Sequence, residues 1–295
     1  MAIFEASPIP GARFKLGEGT LWDERSNCFL WVDLLGGEIA EYAPESGDLR
    51  VHDFGDFVSY IGKRRAGGYI IALGDQLALI DNDFVLEKKI DMGIDIELLR
   101  TNDGNIDPSG ALWMGLAEVV PNSKRGELRR YDRYFNFTTE RRNVQISNGI
   151  DWSLDGKIMY YIDSAPREIS RYQFDPIEGA ILGELPAIDV SDVIGVPDGM
   201  CTDSIGNLWV AFWGSGQVRN YSPEGDLLNI VKVPTALATC ASFGGSAMQT
   251  MLITTARDEY SPEYTFASSN SDTFDGMCFT VELPVVGKMD NFFLG

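Results

Sequence analysis

The stretch Asn148-Gly149-Ile150-Asp151-Trp152-Ser153-Leu154-Asp155-Gly156-Lys157-Ile158-Met159-Tyr160-Tyr161 decides the fold. It runs from a polar residue and a glycine through a short apolar segment to a tight turn, then into an aromatic-rich strand. Leu154-Asp155-Gly156 supplies the positive-φ position that such a turn requires, so the stretch reads as a hairpin. The same order recurs at residues 102–115, around Asp107-Pro108-Ser109-Gly110, and at residues 197–210, around Ser204-Ile205-Gly206. The anchors Asn102, Asn148 and Asp198 are 46 and 50 residues apart. Third strands are expected at 126–132, 168–174 and 217–222, with a fourth after Pro223-Glu224-Gly225-Asp226.

Working outward, Glu18 lies 84 residues before Asn102, two steps of 42, and heads a unit of its own. Its turn is Trp22-Asp23-Glu24-Arg25-Ser26-Asn27 and its second strand Phe29-Leu30-Trp31-Val32. A weaker unit starts near Ile61. A last one starts near Phe243-Gly244-Gly245, with Met251-Leu252-Ile253-Thr254-Thr255 as a strand. Six units of four short strands at this period describe an all-β, six-bladed β-propeller of four-stranded antiparallel blades. Long amphipathic helical patterns are absent. One domain over residues 1–295 is expected, closed by pairing the N-terminal stretch, about residues 3–15, with the final blade to protect its edge strands.

Composition narrows the partners. With 44 acidic against 24 basic residues the net charge is −20, which opposes binding to nucleic acid or to an anionic membrane surface. The opening residues lack the basic and apolar segments of a signal peptide, and no apolar run is long enough to span a bilayer. Cys28, Cys201, Cys240 and Cys278 are scattered without a CxxC pair, as expected of reduced thiols packed in strands. A cytoplasmic location is the expectation.

In a propeller the innermost strands line a central channel, so equivalent positions of different blades converge there. Those positions carry Glu18, Asn102, Asn148 and Asp198. Two carboxylates facing each other on an axis repel unless a cation or a proton lies between them. All the candidate ligands are oxygens, which favours a hard divalent cation, Ca2+ first, then Mg2+ or Mn2+, over Zn2+. The rival reading makes these residues turn-formers before glycine, bonded to their own backbone.

Five motifs then resemble the SMP-30/gluconolactonase/luciferin-regenerating (regucalcin-like) family. They are Leu16-Gly17-Glu18-Gly19 with Trp31-Val32-Asp33, Arg100-Thr101-Asn102-Asp103-Gly104, Ile146-Ser147-Asn148-Gly149, Pro197-Asp198-Gly199-Met200, and Ser242-Phe243-Gly244-Gly245 with Thr254-Thr255-Ala256-Arg257. The resemblance implies a propeller with one divalent metal ion held by Glu18, Asn148 and Asp198, and with Arg100 and Asn102 on the substrate's polar groups. It implies hydrolysis of small lactones, typically aldonolactones; some members act on other esters or organophosphates. Thr20 stands where many members have Pro. Gly115-Leu116-Ala117-Glu118-Val119-Val120 departs from the usual Gly-Thr-Met, leaving Glu118 as the substrate-facing acid. Asp151 stands where many members are apolar or small, and is read as an added pocket carboxylate.

The function expected on these grounds is a metal-dependent hydrolase that opens a sugar-derived lactone, with Asp198 as both ligand and general base. Two rivals use the same residues: an arylesterase or phosphotriesterase-like hydrolase, and a non-catalytic calcium-binding propeller. The alternative for Arg100 is a surface ion pair with Asp95 or Glu97. The tryptophans read as blade core, Trp213 alone being placed near the pocket mouth. His52, the single histidine, sits in an outer-strand context without a G-x-S-x-G elbow to serve, and Asp81-Asn82-Asp83 reads as a turn.

Overall fold

The computed structural model describes residues 1–120, 125–260 and 274–295. Six antiparallel sheets follow one another along the chain. Blade 1 comprises Gly17–Asp23, Cys28–Asp33, Glu38–Ala43 and Asp48–Asp53, and blade 2 comprises Val58–Lys63, Tyr69–Leu73, Gln76–Ile80 and Leu86–Asp91. Blade 3 is Leu99–Ile106, Leu112–Glu118, Gly126–Tyr131 and Phe137–Val144. Blade 4 is Ser147–Trp152, Ile158–Asp163, Glu168–Asp175 and Ala180–Asp189. Blade 5 holds Val196–Thr202, Leu208–Trp213, Gln217–Tyr221 and Leu227–Lys232, and blade 6 holds Ala238–Gly244, Thr250–Thr255 and Met277–Glu282. A 3-10 turn lies at Asp258–Tyr260, and among the described residues no helix is long and apolar enough to cross a membrane.

The propeller expected from the repeat is therefore present, and the turn chemistry explains why. Gly110, Gly156 and Gly206 adopt φ of 85°, 70° and 94° at the three hairpins read from the sequence. Two of the three hairpins are tied to the blade core by an aspartate. Asp107 accepts a hydrogen bond from Trp113 Nε1 at 2.8 Å, and Asp203 accepts one from Trp209 Nε1 at 3.1 Å. Trp22, Trp31, Trp113, Trp152 and Trp209 are all buried in the blades, whereas Trp213 is half-buried and bridges to Leu237. Asp81 folds its carboxylate back onto the amides of Asp83 and Val85, the expected turn. The four cysteines are free, and each lies in a strand.

Closure is double. Ser7–Arg13 completes blade 6 by antiparallel pairing with Met277–Glu282, as expected, while Ala2–Glu5 adds a fifth, parallel strand to blade 5. The start of blade 6 differs from the reading of the sequence: its inner strand begins at Ala238, so Phe243 lies near its end.

All six inner strands run in one direction, from the end that carries Glu18, Asn148 and Asp198 to an end crossed by the C-terminal tail. The tail bonds to blade 6 at Met248 O, to blade 5 at Thr202 O, to blade 4 at Trp152 O, to blade 3 at Ile106 O and to blade 2 at Lys63 O. Phe293 is fully buried within the core shared by blades 2 and 3. Asp290 and Asn291 lie against a cavity of about 50 Å³ on the axis, so the tail floors the channel.

Two stability predictions follow from these contacts. Phe293→Ala is expected to cost about 3–5 kcal/mol in urea unfolding, the usual loss for a fully buried aromatic; a loss below about 1 kcal/mol would show that the tail is not part of the cooperative core. Asp23, on the blade 1 inner strand, receives hydrogen bonds from Arg25 Nη2 at 2.8 Å and from Tyr69 Oη at 2.6 Å. Burial alone raises its carboxyl, but these bonds outweigh burial and hold it below the ordinary carboxylate range. A folded value lowered in this way adds stability above the unfolded-chain value near 3.9, and that contribution is lost as the pH falls through the folded value. Asp23→Asn should therefore lose about 1–3 kcal/mol at neutral pH, with the deficit shrinking below about pH 4. A deficit independent of pH contradicts this account.

Candidate active site

The site is built at the entering ends of the inner strands. Two aspartates hold those ends in place. Asp33 accepts from the amides of Lys15 and Leu16 at 2.8 and 3.0 Å, just ahead of Glu18. Asp163 accepts from Gln145 and Ile146 at 3.0 and 2.9 Å, just ahead of Asn148. Bonds between neighbouring inner strands then join blade to blade. Ser59 Oγ donates to Thr101 Oγ1 at 2.8 Å, and Thr239 Oγ1 donates to the Gly17 carbonyl at 2.6 Å.

Each inner strand carries one extra residue at the same level of its ladder. Asn102 and Asp103 stand opposite Gly115, Asn148 and Gly149 opposite Ile162, and Asp198 and Gly199 opposite Ala211. Such bulges re-aim side chains, and here they open with three of the four predicted anchors. Glu18 lies one position earlier, paired with Val32, so the anchors do not share one register position. The longer glutamate nonetheless reaches the field of Asp198, Asp103 and Arg100.

The turn-former reading fails for Asn148 and Asp198, whereas Glu18 does accept from the amide of Gly19, whose φ is 55°. Gly149 and Gly199 lie inside strands, and neither has a positive φ. They are glycines because the neighbouring blade is too close for a side chain. A Cβ on Gly149 would stand 2.7 Å from Met200 Cβ, and one on Gly199 would stand 2.7 Å from Cys240 Sγ.

Arg100, Asn102, Asn148 and Asp198 come together as expected. Arg100 Nη1 donates to the Thr101 carbonyl at 3.2 Å and to Asn102 Oδ1, and its guanidinium lies 5.8 Å from the centre of the Phe57 ring. It makes no ion pair with Asp95 or Glu97. Its Nε and Nη2 carry no hydrogen bond among the described residues. Asn102 Nδ2 donates to Asn148 Oδ1 at 2.7 Å and to the Ser147 carbonyl at 2.8 Å. Asn148 Nδ2 donates in turn to Ser164 Oγ at 2.7 Å.

The electrostatics are severe. Burial pushes the Glu18 carboxyl well above the ordinary carboxylate range, and the charges of Asp198 and Asp103 push it further. Burial also raises Asp198, reinforced by Asp103, while Arg100 opposes the shift in both. Asp103 itself is pushed up to about 6 by burial. Glu18 accepts only the Gly19 amide at 3.3 Å, and no hydrogen bond reaches the Asp198 carboxylate among the described residues. The donor set is thus the half-buried Glu18 carboxylate, the buried Asp198 carboxylate and the Asn148 amide oxygen. It contains no cluster of three acidic, histidine or cysteine side chains among the described residues.

One expectation is placed differently. Asp151 does not join this group. It lies towards the tail end of its strand, where the Lys288 ammonium bonds its carboxylate and the Trp152 carbonyl, so it serves the floor of the channel. Glu118 is buried at the end of its strand, opposite Leu99 and beside the Arg100–Ala117 pair, and accepts from the Arg125 amide at 3.0 Å. The sequence points to the loops 118–124 and 258–275 as pocket lining, and of these residues 121–124 and 261–273 lie outside the described residues. His52 stacks on Phe84 in the outer strand of blade 1 at 3.8 Å between ring centres, remote from the axis. Asp103 and Ser164 were not singled out in the sequence. Asp103 sits within a quoted motif but is brought to the axis only by the bulge, and Ser164 follows an aspartate whose role recurs while the serine does not.

The chain matches the family described as "SMP-30/Gluconolactonase/LRE-like region" over residues 16–257. A Bacillus subtilis (strain 168) protein named "Putative sugar lactone lactonase YvrE" is 33% identical over 297 residues, covering 100% of this chain and 99% of the relative. Regucalcin from Gallus gallus is 32% identical over 259 residues, covering 85% and 87%. A solved structure of a calcium-binding protein, regucalcin, from Agrobacterium tumefaciens str. C58 superposes with a TM-score of 0.88 at 27% identity, covering 99% of both chains. A luciferin-regenerating enzyme superposes with a TM-score of 0.87 at 25% identity, covering 98% and 99%.

The crowding of carboxylates gives a direct prediction. In chelator, at neutral pH, Asp198→Asn should be more stable than the native chain by about 1–2 kcal/mol, the equivalent of roughly one pKa unit of relieved charge interaction. Thermal unfolding measures this, and a clear loss of stability would mean that the carboxylate is held by a favourable partner.

Proposed function

Because the chain belongs to the SMP-30/gluconolactonase/LRE-like family, we propose that it is a divalent-metal-dependent hydrolase that opens a sugar-derived lactone, with Glu18, Asn148 and Asp198 as the metal ligands. The observation that carries the reading is the pair Glu18 and Asp198, one carboxylate half-buried and one buried, in each other's field, together with the Asn148 amide oxygen. That donor set fits a hard cation, Ca2+ first, because every donor is oxygen and the negative charge is otherwise uncompensated. Such an ion, when bound, polarises a carbonyl and stabilises the oxyanion formed from it.

The rest of the chemistry falls to side chains. Asp198 takes the proton of the attacking water, which needs a carboxylate within hydrogen-bond reach of the reacting centre. Arg100 offers its Nε and Nη2 donors to the ring or hydroxyl oxygens of the substrate, and Phe57 backs the guanidinium. Asn102 orients the substrate, and Glu118 faces it from the neighbouring strand.

The test is lactone hydrolysis followed by proton release over a panel of aldonolactones. Chelated protein should be inactive and regain activity with a single divalent metal. Asp198→Ala should lose about 10²–10⁴-fold in kcat/KM, the usual range for a general base. A chain that binds one metal tightly yet turns over no lactone rules the lactonase reading out and leaves the other esters and then the binding role.

A further inference from the structure

We infer that Ser164 is a positioning residue that fixes which end of the Asn148 amide faces the bound cation; this rests on the ligand set proposed above. Ser164 is buried just beyond the second strand of blade 4. Its Oγ lies 2.7 Å from Asn148 Nδ2 and 2.7 Å from the carbonyl oxygen of Pro197, the residue before Asp198.

The polarity of these bonds is forced at both ends. A guanidinium only donates and a carbonyl only accepts. At one end Arg100 donates to Asn102 Oδ1, so Asn102 turns its NH2 to blade 4, where it meets Asn148 Oδ1 and the Ser147 carbonyl. At the other end the Pro197 carbonyl takes the single hydroxyl proton of Ser164. The serine oxygen then has only acceptor capacity left for Asn148, and the atom facing it must be Nδ2. Every link of the chain Arg100, Asn102, Asn148, Ser164, Pro197 therefore points the same way.

Flipping the Asn148 amide would set its oxygen against a serine oxygen with no proton to give, and its NH2 against the NH2 of Asn102. Two bonds between buried groups would be lost together. Ser164 thus keeps the amide oxygen of Asn148 on the side shared with Asn102. The same hydroxyl holds the backbone one residue before Asp198, so a single side chain spans blades 4 and 5 and registers two of the three ligands. Removing groups that orient a metal ligand typically lowers metal affinity 10–100-fold.

Calorimetric titration of the full chain with Ca2+ alone tests this. Ser164→Ala should bind Ca2+ about 10–100-fold more weakly than the native chain, while its melting temperature in chelator stays within a few degrees. Ser164→Thr, which keeps the hydroxyl, should recover most of the affinity. In the Asn148→Asp background a carboxylate presents oxygen on both sides, so Ser164→Ala should there change affinity by less than about threefold, since the orienting contribution is gone. Equal losses in both backgrounds, or no loss in the native one, overturn the positioning role and leave the ligand set intact. A native chain that takes up no divalent ion removes the ligand set, and this role with it.

Discussion

Six inner strands sharing one axis impose the constraint from which the site follows. Near the axis the strands approach so closely that Gly149 and Gly199 have no room for a Cβ beside Met200 and Cys240. Each strand also accommodates one extra residue at that level, which breaks the in-out alternation of an ordinary strand. The polar residue opening the bulge is turned out of the blade, and the glycine after it lets the next blade close in. Asn-Gly and Asp-Gly at blade spacing are therefore one solution to two demands, close approach and a side chain delivered to the axis. The electrostatic consequence is a half-buried and a buried carboxylate in each other's field, a state that favours either proton uptake or a cation.

Rigidity is concentrated where it supports that state. Asp33 and Asp163 clamp the strand entries at Lys15-Leu16 and Gln145-Ile146, just ahead of Glu18 and Asn148. At the opposite end the tail crosses five blades, with Phe293 as its buried anchor and Lys288 bonded to Asp151. The floor of the channel is thereby sealed by the chain itself, and the polar face is left at the other end. Side chains on strands hold the charged centre; connections between strands are free to differ without moving it.

The fold was legible because its signals are local. A turn glycine at positive φ, an aspartate bonded to a tryptophan six residues on, and a repeat of 46–50 residues are all read within short windows. Blade 6 was placed late because Ala238-Thr239-Cys240 lacks a polar anchor followed by glycine. The parallel strand Ala2–Glu5 on blade 5 and most of the floor made by the tail depend on partners more than a hundred residues distant, and no local pattern announces them. Asp151 is the instructive case. As a polar residue beside Asn148-Gly149-Ile150 it read as part of the pocket, but its partner is 137 residues away, and side-chain direction along a bulged strand sends it to the floor.

The anchors themselves were legible and their wiring was not, for a chemical reason. Residue type shows which groups are able to bond a cation, whereas an amide has two nearly isosteric ends and its orientation is set only by neighbours of fixed polarity. Those neighbours come from three blades: the guanidinium of Arg100, the Ser147 carbonyl and the Pro197 carbonyl behind Ser164. Arg100 consequently acts on the axial carboxylates by two routes. Its charge opposes the rise of both Glu18 and Asp198, and its hydrogen bond to Asn102 sets the direction of a chain that ends one residue before Asp198. A substrate that draws on the remaining Arg100 donors would act on the same guanidinium that sits at the head of that chain, so substrate contact and ligand orientation are physically linked through a single side chain.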